Sequence, residues 1–188
     1  MEIISNMDSN NKNNIKTSNT EKYCITKPNM NKNSNNARNV CINDIEIQSM
    51  TILDLDSIKD ILFTEFDDFW NYNIFKSELE NENSRYIVAK LNNEIIGFAG
   101  IWLTIDEAHI TNIVTKKTYR NQGIGSLLLE NLIEICKNLE TKISSITLEV
   151  NEENISAQNL YKKFNFEILG KRKKYYKENS AIIMTLYF

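Results

Sequence analysis

Arg120-Asn121-Gln122-Gly123-Ile124-Gly125 holds two of the chain's five glycines and joins two segments of different hydrophobic period. Ahead of it, Ala108 to Val114 reads as a strand. Behind it, Ile124, Leu128, Leu132, Ile135 and Leu139 recur at the spacing of one apolar helical stripe. Ser145 to Val150 then alternates again, with Ile146 and Leu148 on one side. Strand, tight turn, helix and strand make one βαβ crossover, which calls for a parallel pair inside a sheet. The turn also has a chemical use. Glycines let backbone approach a ligand closely, and the first amides of the following helix point outward unpaired, at the positive end of its dipole.

On spacing alone the loop is either a plain strand-to-helix turn or an anion cradle. Lys116, Lys117 and Arg120 just before it favour a phosphate-bearing ligand. A triphosphate loop would end in Gly-Lys-Ser/Thr, and Gly125-Ser126 has no lysine. A dinucleotide fingerprint would need a third glycine where Leu128 stands.

The remaining chain supplies antiparallel partners. Ile45 to Met50 alternates as a half-buried strand. Asp54 is placed to cap a helix carrying Leu55, Ile58, Ile61, Leu62 and Phe66, and Asn71 to cap a second one with Phe75 and Leu79. Tyr86–Leu91 and Glu94–Leu103 read as a hairpin about Asn92-Asn93, residues that tolerate the positive φ of a tight turn. After Ser145–Val150 come a helix from Ser156 to Phe164 and strands near Phe166–Gly170 and Ala181–Tyr187. The predicted fold class is α/β (α+β): a mixed, mostly antiparallel central sheet of about seven strands with about four helices on its faces.

Residues 1–44 differ in kind. They are rich in Asn, Lys and Ser, hold the only proline, Pro28, and carry six Lys/Arg against four Asp/Glu. Such a segment cannot bury enough apolar surface to offset its chain entropy and is expected to be a disordered extension, with the folded domain at 45–188. Net charge is -3, which gives no sign of a nucleic-acid partner. Cys24, Cys41 and Cys136 are far apart, no CxxC occurs and His109 is the single histidine, so no metal site is expected. No apolar run is long enough to span a membrane, and the N-terminus lacks a signal-peptide pattern. A cytoplasmic protein with reduced thiols is the reading these features give.

Two further elements carry candidate chemistry. Glu149 alternates with Leu148 and Val150 near the end of a core strand. Such a carboxylate is either a solvated side chain or, if partly desolvated, a base usable near neutral pH. Asn154, Ala157, Leu160, Tyr161 and Phe164 follow at helical spacing, which suits plain packing as well as a positioned phenol.

In this order and at these spacings, the three elements resemble the GNAT acetyltransferases, over about residues 45–188. Arg120 to Gly125 looks like that family's Q/R-x-x-G-x-G/A pyrophosphate loop. Asp106 to Val114, Leu148-Glu149-Val150, Gly170 to Tyr176 and Ala181-Ile182-Ile183-Met184 look like its ribosomal-protein-alanine N-acetyltransferase (RimI) group. The resemblance implies acetyl-CoA as cosubstrate and no metal. It implies that Ile113, Val114 and Thr115 offer backbone to the pantetheine arm, and that Arg120, Asn121, Gln122, Gly123, Ile124, Gly125 and Ser126 form the pyrophosphate loop. Asn154 would bond the pantetheine region, Glu149 would be the general base and Tyr161 the general acid. Trp70 and Tyr175 are candidates for lining the acceptor groove, or for aromatic packing only.

The chemistry needs such roles, because a protonated amine has no lone pair to attack a thioester. An α-amine has a pKa of about 7.7–8.0 against about 10.4 for lysine, so deprotonating lysine at neutral pH costs roughly 3 to 4 kcal/mol more. A carboxylate base therefore suits a protein N-terminus, and by resemblance the acceptor is the N-terminal alanine of a small-subunit ribosomal protein. Transfer to lysine or a small amine, and a non-catalytic acyl-CoA-binding module, stay open. Residues 45–82 carry ten Asp/Glu and two Lys, either a solvated surface or a field that steers a basic acceptor. Two positions depart from the family pattern on the acceptor side: Phe69 replaces its proline before Trp70, and Asn179-Ser180 replaces its acidic pair.

Overall fold

In the computed structural model, the structure describes residues 41–67, 71–176 and 179–188. The elements in chain order are β1 (Glu46–Ser49), α1 (Ile52–Ile58), α2 (Leu62–Phe66), α3 (Tyr72–Leu79), β2 (Ser84–Leu91), β3 (Glu94–Leu103), β4 (Glu107–Thr115), α4 (Ile124–Lys137), β5 (Ser145–Asn151), α5 (Ile155–Lys163), β6 (Glu167–Tyr176) and β7 (Asn179–Tyr187). The strands form one sheet in the order β1-β2-β3-β4-β5-β7-β6. All neighbours are antiparallel except β4 and β5, the two strands that the α4 crossover connects.

The expected fold class holds: the sheet has seven strands, mostly antiparallel, with helices on both faces. The described residues contain five α-helices rather than about four, because the helix expected from Asp54 to Phe66 breaks at Lys59–Ile61. Ile61 N–H turns back to Ile58 C=O at 3.0 Å, a tighter closure than the α-helical one. The apolar spacing survives the break, since Leu55, Ile58, Leu62 and Phe66 are all buried. The cap also moves. Thr51 is the N-cap; its Oγ1 accepts from Asp54 N–H (3.2 Å) while Asp54 Oδ2 accepts from Thr51 N–H (2.9 Å). Asp54 is thus the reciprocal member of a capping box, not the cap. Asn71 caps α3 as expected, accepting from Asn73 N–H at 2.9 Å.

The hairpin turn matches the sequence reading, with Asn92 and Asn93 at φ 50° and 66°. β6 runs six residues beyond the expected Gly170, and its Lys171, Arg172 and Lys173 lie on the outermost strand of the sheet. Positive charge along an unpaired edge discourages pairing with another chain.

Two cores lie on opposite faces. On one, α4 and α5 pack against Ile87, Ala99, Ile101, Ile110, Ile146, Leu148 and Val150. Cys136 is buried on this side, and the buried side of α4 is broader than the predicted stripe, adding Leu129 and Ile133, while Ile135 and Leu139 sit at its margin. On the other face, Leu55, Ile58, Leu62, Phe66 and Phe75 of α1–α3 pack on Tyr86, Val88 and Phe98. Tyr86 lies flat across β3; a Cβ on Gly100 would stand 2.2 Å from its ring, so glycine is required there. Its hydroxyl reaches Thr111 Oγ1 on β4 at 2.9 Å. Among the described residues, no helix is long and apolar enough to cross a membrane.

Most of the expected extension lies outside the described residues. Its last part, Ile42–Asp44, forms a 3₁₀ turn before β1, and Ile42 Cδ1 lies 3.0 Å from where a Cβ on Gly123 would stand.

Candidate active site

The parallel pairing of β4 with β5 stops early. Glu107, Ala108 and His109 pair with Ser145, Ile146 and Thr147, and the two strands share no register beyond that point. A bulge in β4 between the residues opposite Gly100 and Ile101 bends it away. The sheet therefore opens into a wedge, and from it a cleft of about 870 Å³ runs to the start of α4. Ile113, Val114 and Thr115 form one wall, and Ala157, Leu160 and Tyr161 of α5 form another. Arg120, Asn121, Gly123, Ile124, Gly125 and Ser126 close the end.

The loop geometry explains its residue types. Asn121 has φ 61° and Gly123 φ 88°, the left-handed conformations that asparagine tolerates and glycine adopts without strain. Gly123 is the N-cap of α4, and no side chain bonds the first-turn amides. Ile124, Gly125 and Ser126 thus present N–H groups to the cleft at the positive end of a helix of 14 residues. That is a cradle for an anionic group such as a diphosphate. Gln122 is not on the cleft wall; its Nε2 donates to Thr118 C=O at 3.2 Å and braces the loop.

The cations before the loop do not stand ready for phosphate as their sequence positions suggest. Lys116 Nζ lies 2.7 Å from Glu65 and 2.8 Å from Glu94. Burial lowers the Lys116 pKa, but bonds to those two carboxylates more than offset it and the net shift is upward. Lys117 and Arg120 both bond Asp67, at 2.7 and 2.9 Å, and Arg120 also donates to the Phe66 and Thr115 carbonyls at 3.2 Å each. The paired Lys117 and Arg120 hold the Asp67 carboxyl below its ordinary value. These pairs tie the end of α2 to the loop before α4. Part of the acidic segment is likewise partnered within the fold: Asp54 bonds Lys90 at 2.7 Å, and Asp56 accepts from the Tyr72 hydroxyl at 2.5 Å.

Tyr161 is 8% exposed and packs its ring 5.8 Å from that of Phe166, facing the cleft from α5. Glu149 stands on β5 with its side chain 23% exposed, 2.9 Å from Arg172 Nη2 on β6. It does not line the cleft itself. Its neighbours Leu148 and Val150 are in the α4-side core, so alternation puts Glu149 on the α1–α3 face, beside the wedge. Asn154 lines the cleft, but its Oδ1 accepts from Ala157 N–H at 3.1 Å, which makes it first of all the cap of α5. Trp70 lies outside the described residues, and Tyr175 falls within β6 near the strand's end. Among the described residues no group of His, Cys, Asp and Glu is placed to hold a metal ion.

Sequence reasoning missed Asp67 and Lys163, both on the cleft wall. Asp67 carried a faint signal, since an aspartate just past a helical run suits the left-handed C-cap it occupies (φ 57°). Lys163 carried none beyond its place two residues after Tyr161.

Comparisons with known proteins agree with this geometry. The profile of the Acetyltransferase (GNAT) family matches residues 55–166. A Bacillus subtilis protein, provisionally named a [ribosomal protein bS18]-alanine N-acetyltransferase, is 37% identical over 141 residues, covering 73% of this chain and 92% of the relative. The Haemophilus influenzae [ribosomal protein bS18]-alanine N-acetyltransferase is 39% identical over 125 residues, covering 63% and 82%. The crystal structure of the ribosomal-protein-S18-alanine N-acetyltransferase from Escherichia coli superposes with a TM-score of 0.69 at 29% identity, over 76% of this chain and 93% of that one.

Proposed function

The chain belongs to the GNAT acetyltransferase family and uses acetyl-CoA, and on that premise we propose that its acceptor is a protein N-terminal α-amine. The acceptor we assign is the N-terminal alanine of a small-subunit ribosomal protein, in the cytoplasm. The relatives named for that reaction support the assignment. The observation that carries the chemistry is the wedge between β4 and β5, with unpaired helix amides at one end and Tyr161 on its wall.

Acetyl-CoA lies with its diphosphate on the amides of residues 124–126 and its pantetheine arm along Ile113–Thr115. The thioester then reaches the point where the strands part. Glu149, from the α1–α3 face, takes the proton of the incoming ammonium, directly or through water. The amine nitrogen attacks the thioester carbonyl, a C–N bond forms, the C–S bond breaks, and Tyr161 donates its proton to the leaving sulfur; the second proton that the nitrogen sheds on becoming an amide returns through water to the Tyr161 phenolate. No covalent enzyme intermediate is needed: among the described residues no cysteine lines the cleft, and Cys136 is buried in the core, where burial pushes its thiol up to about 11.

A panel of alanine-starting peptides, N-blocked lysine peptides and polyamines, each offered with acetyl-CoA, tests this reading. The expected result is acetylation of the α-amine in strong preference to the other two. Faster transfer to lysine or polyamine would overturn the acceptor class. Coenzyme A binding with no transfer to any amine would favour a non-catalytic module.

A further inference from the structure

We propose that Asn112 grips the first residue of the acceptor by its amine and its carbonyl together, and so selects N-terminal amines over lysine side chains. This rests on the α-amine reading above. Both polar atoms of the Asn112 carboxamide, Nδ2 and Oδ1, are buried without a hydrogen-bond partner. Burying such a group unpaired is costly, and folds pair nearly all of them. Other polar side chains on the neighbouring strands are paired: Tyr86 with Thr111 at 2.9 Å, Thr147 with Thr185 at 3.1 Å, Glu149 with Arg172 at 2.9 Å.

Register places Asn112 beside the reacting centre. His109 is the last residue of β4 to pair with β5, opposite Thr147. Two places on along β5 is Glu149. Two places on along β4, counting the bulge as one place, are Thr111 and Asn112. Asn112 pairs with Gly100 and Val114 with Phe98, and Phe98 belongs to the α1–α3 core. Asn112 and Glu149 therefore stand level on the same face, on opposite lips of the opening wedge.

The chemistry fits an N-terminal residue. A carboxamide offers an acceptor oxygen and two N–H donors. An N-terminal residue presents an amine that donates and, one carbon away, a carbonyl that accepts. A lysine ε-amine has no carbonyl within that reach. The two amide atoms expose almost no surface, so an acceptor that parts the side chains above them meets little competing solvent.

The test compares the full chain with Asn112→Leu, which keeps a similar volume without polar atoms. Three acceptors are used: a peptide beginning with Ala, the same peptide with its first peptide bond replaced by an (E)-alkene, and an N-blocked lysine peptide. The expected result is a rise of about tenfold or more in KM for the Ala peptide, from loss of a hydrogen bond to a charged group. KM for acetyl-CoA should not change. Wild type should prefer the Ala peptide to its alkene analogue, and the variant should not. Asn112→Ser serves as the second variant if leucine disturbs the sheet. Equal discrimination by wild type and both variants would overturn the role of Asn112 and leave the α-amine reading standing. Wild type that acetylates the lysine peptide as readily as the Ala peptide would overturn both.

Discussion

The two faces of this sheet prepare their ligands by different means. On the α4 side, the cofactor cleft is built from backbone: left-handed Asn121 and Gly123, uncapped amides at the start of α4, and the bare edge of β4. On the α1–α3 side, the proposed recognition of the acceptor falls to side chains, with Glu149, Arg172 and Asn112 on the strands and short helices above them. Backbone recognition is indifferent to most side chains, so most substitutions leave it intact. Side-chain recognition is where one member can differ from the next. Substitutions on the second face should therefore alter turnover and acceptor choice, and those on the first should alter cofactor affinity.

Glu149→Gln offers the largest break in that division. Removing a general base is expected to lower kcat by about 10²-fold or more. Coenzyme A affinity, measured by calorimetry, should stay nearly constant, because Glu149 does not line the cofactor cleft. Raising the pH should recover part of the rate by deprotonating the amine in solution. Unchanged kcat would remove Glu149 from the mechanism, and a matching loss of coenzyme A affinity would erase the distinction between the two faces.

The reverse case is Gly123→Ala. At φ 88°, an alanine is strained by about 1–2 kcal/mol. Its Cβ would meet the end of the Ile42 side chain, which is free to turn aside, so the backbone conformation decides the outcome. If the loop relaxes toward negative φ, the amides lose their aim, and coenzyme A affinity is expected to fall about tenfold. The ratio of rates between acceptors at saturating acetyl-CoA should not move. A change in acceptor preference instead would show that the loop reaches the other face.

The same contrast explains what could be read in the sequence. Glycine pairs, alternation and helical stripes are local, and they located every strand, the α4 crossover and the loop residues now found along the cleft. The break between α1 and α2 was hidden because Leu55, Ile58, Leu62 and Phe66 keep one apolar face through it. The partners of Lys116, Lys117 and Arg120 were hidden because Glu65, Asp67 and Glu94 lie more than twenty residues away in the chain and meet them only in the fold. Asn112 gave no signal either, since an unpaired amide is defined by its surroundings.

Those ion pairs supply the finest test, because Asp67 belongs to both regions at once. It ends α2 on the acceptor side, lines the cofactor cleft, and holds Lys117 and Arg120. A carboxylate there repels a diphosphate and keeps two cations from it. Asp67→Asn should therefore strengthen coenzyme A binding a few-fold at low salt, and the gain should shrink as salt screens these exposed charges, over about 10 Å at 0.1 M. Lys117 and Arg120 depress the folded-state pKa of Asp67. The clamp is therefore complete above the ordinary value of 3.8 and is lost only as pH falls through the lower folded value. Between about pH 5 and about pH 8 Asp67 stays ionised, so its own titration leaves the affinity ratio of variant to wild type constant across that range. Weaker binding by Asp67→Asn would mean that the carboxylate positions Arg120 and Lys117 for the phosphates rather than competing for them, and the cofactor cradle would then depend on side chains as much as the acceptor face does.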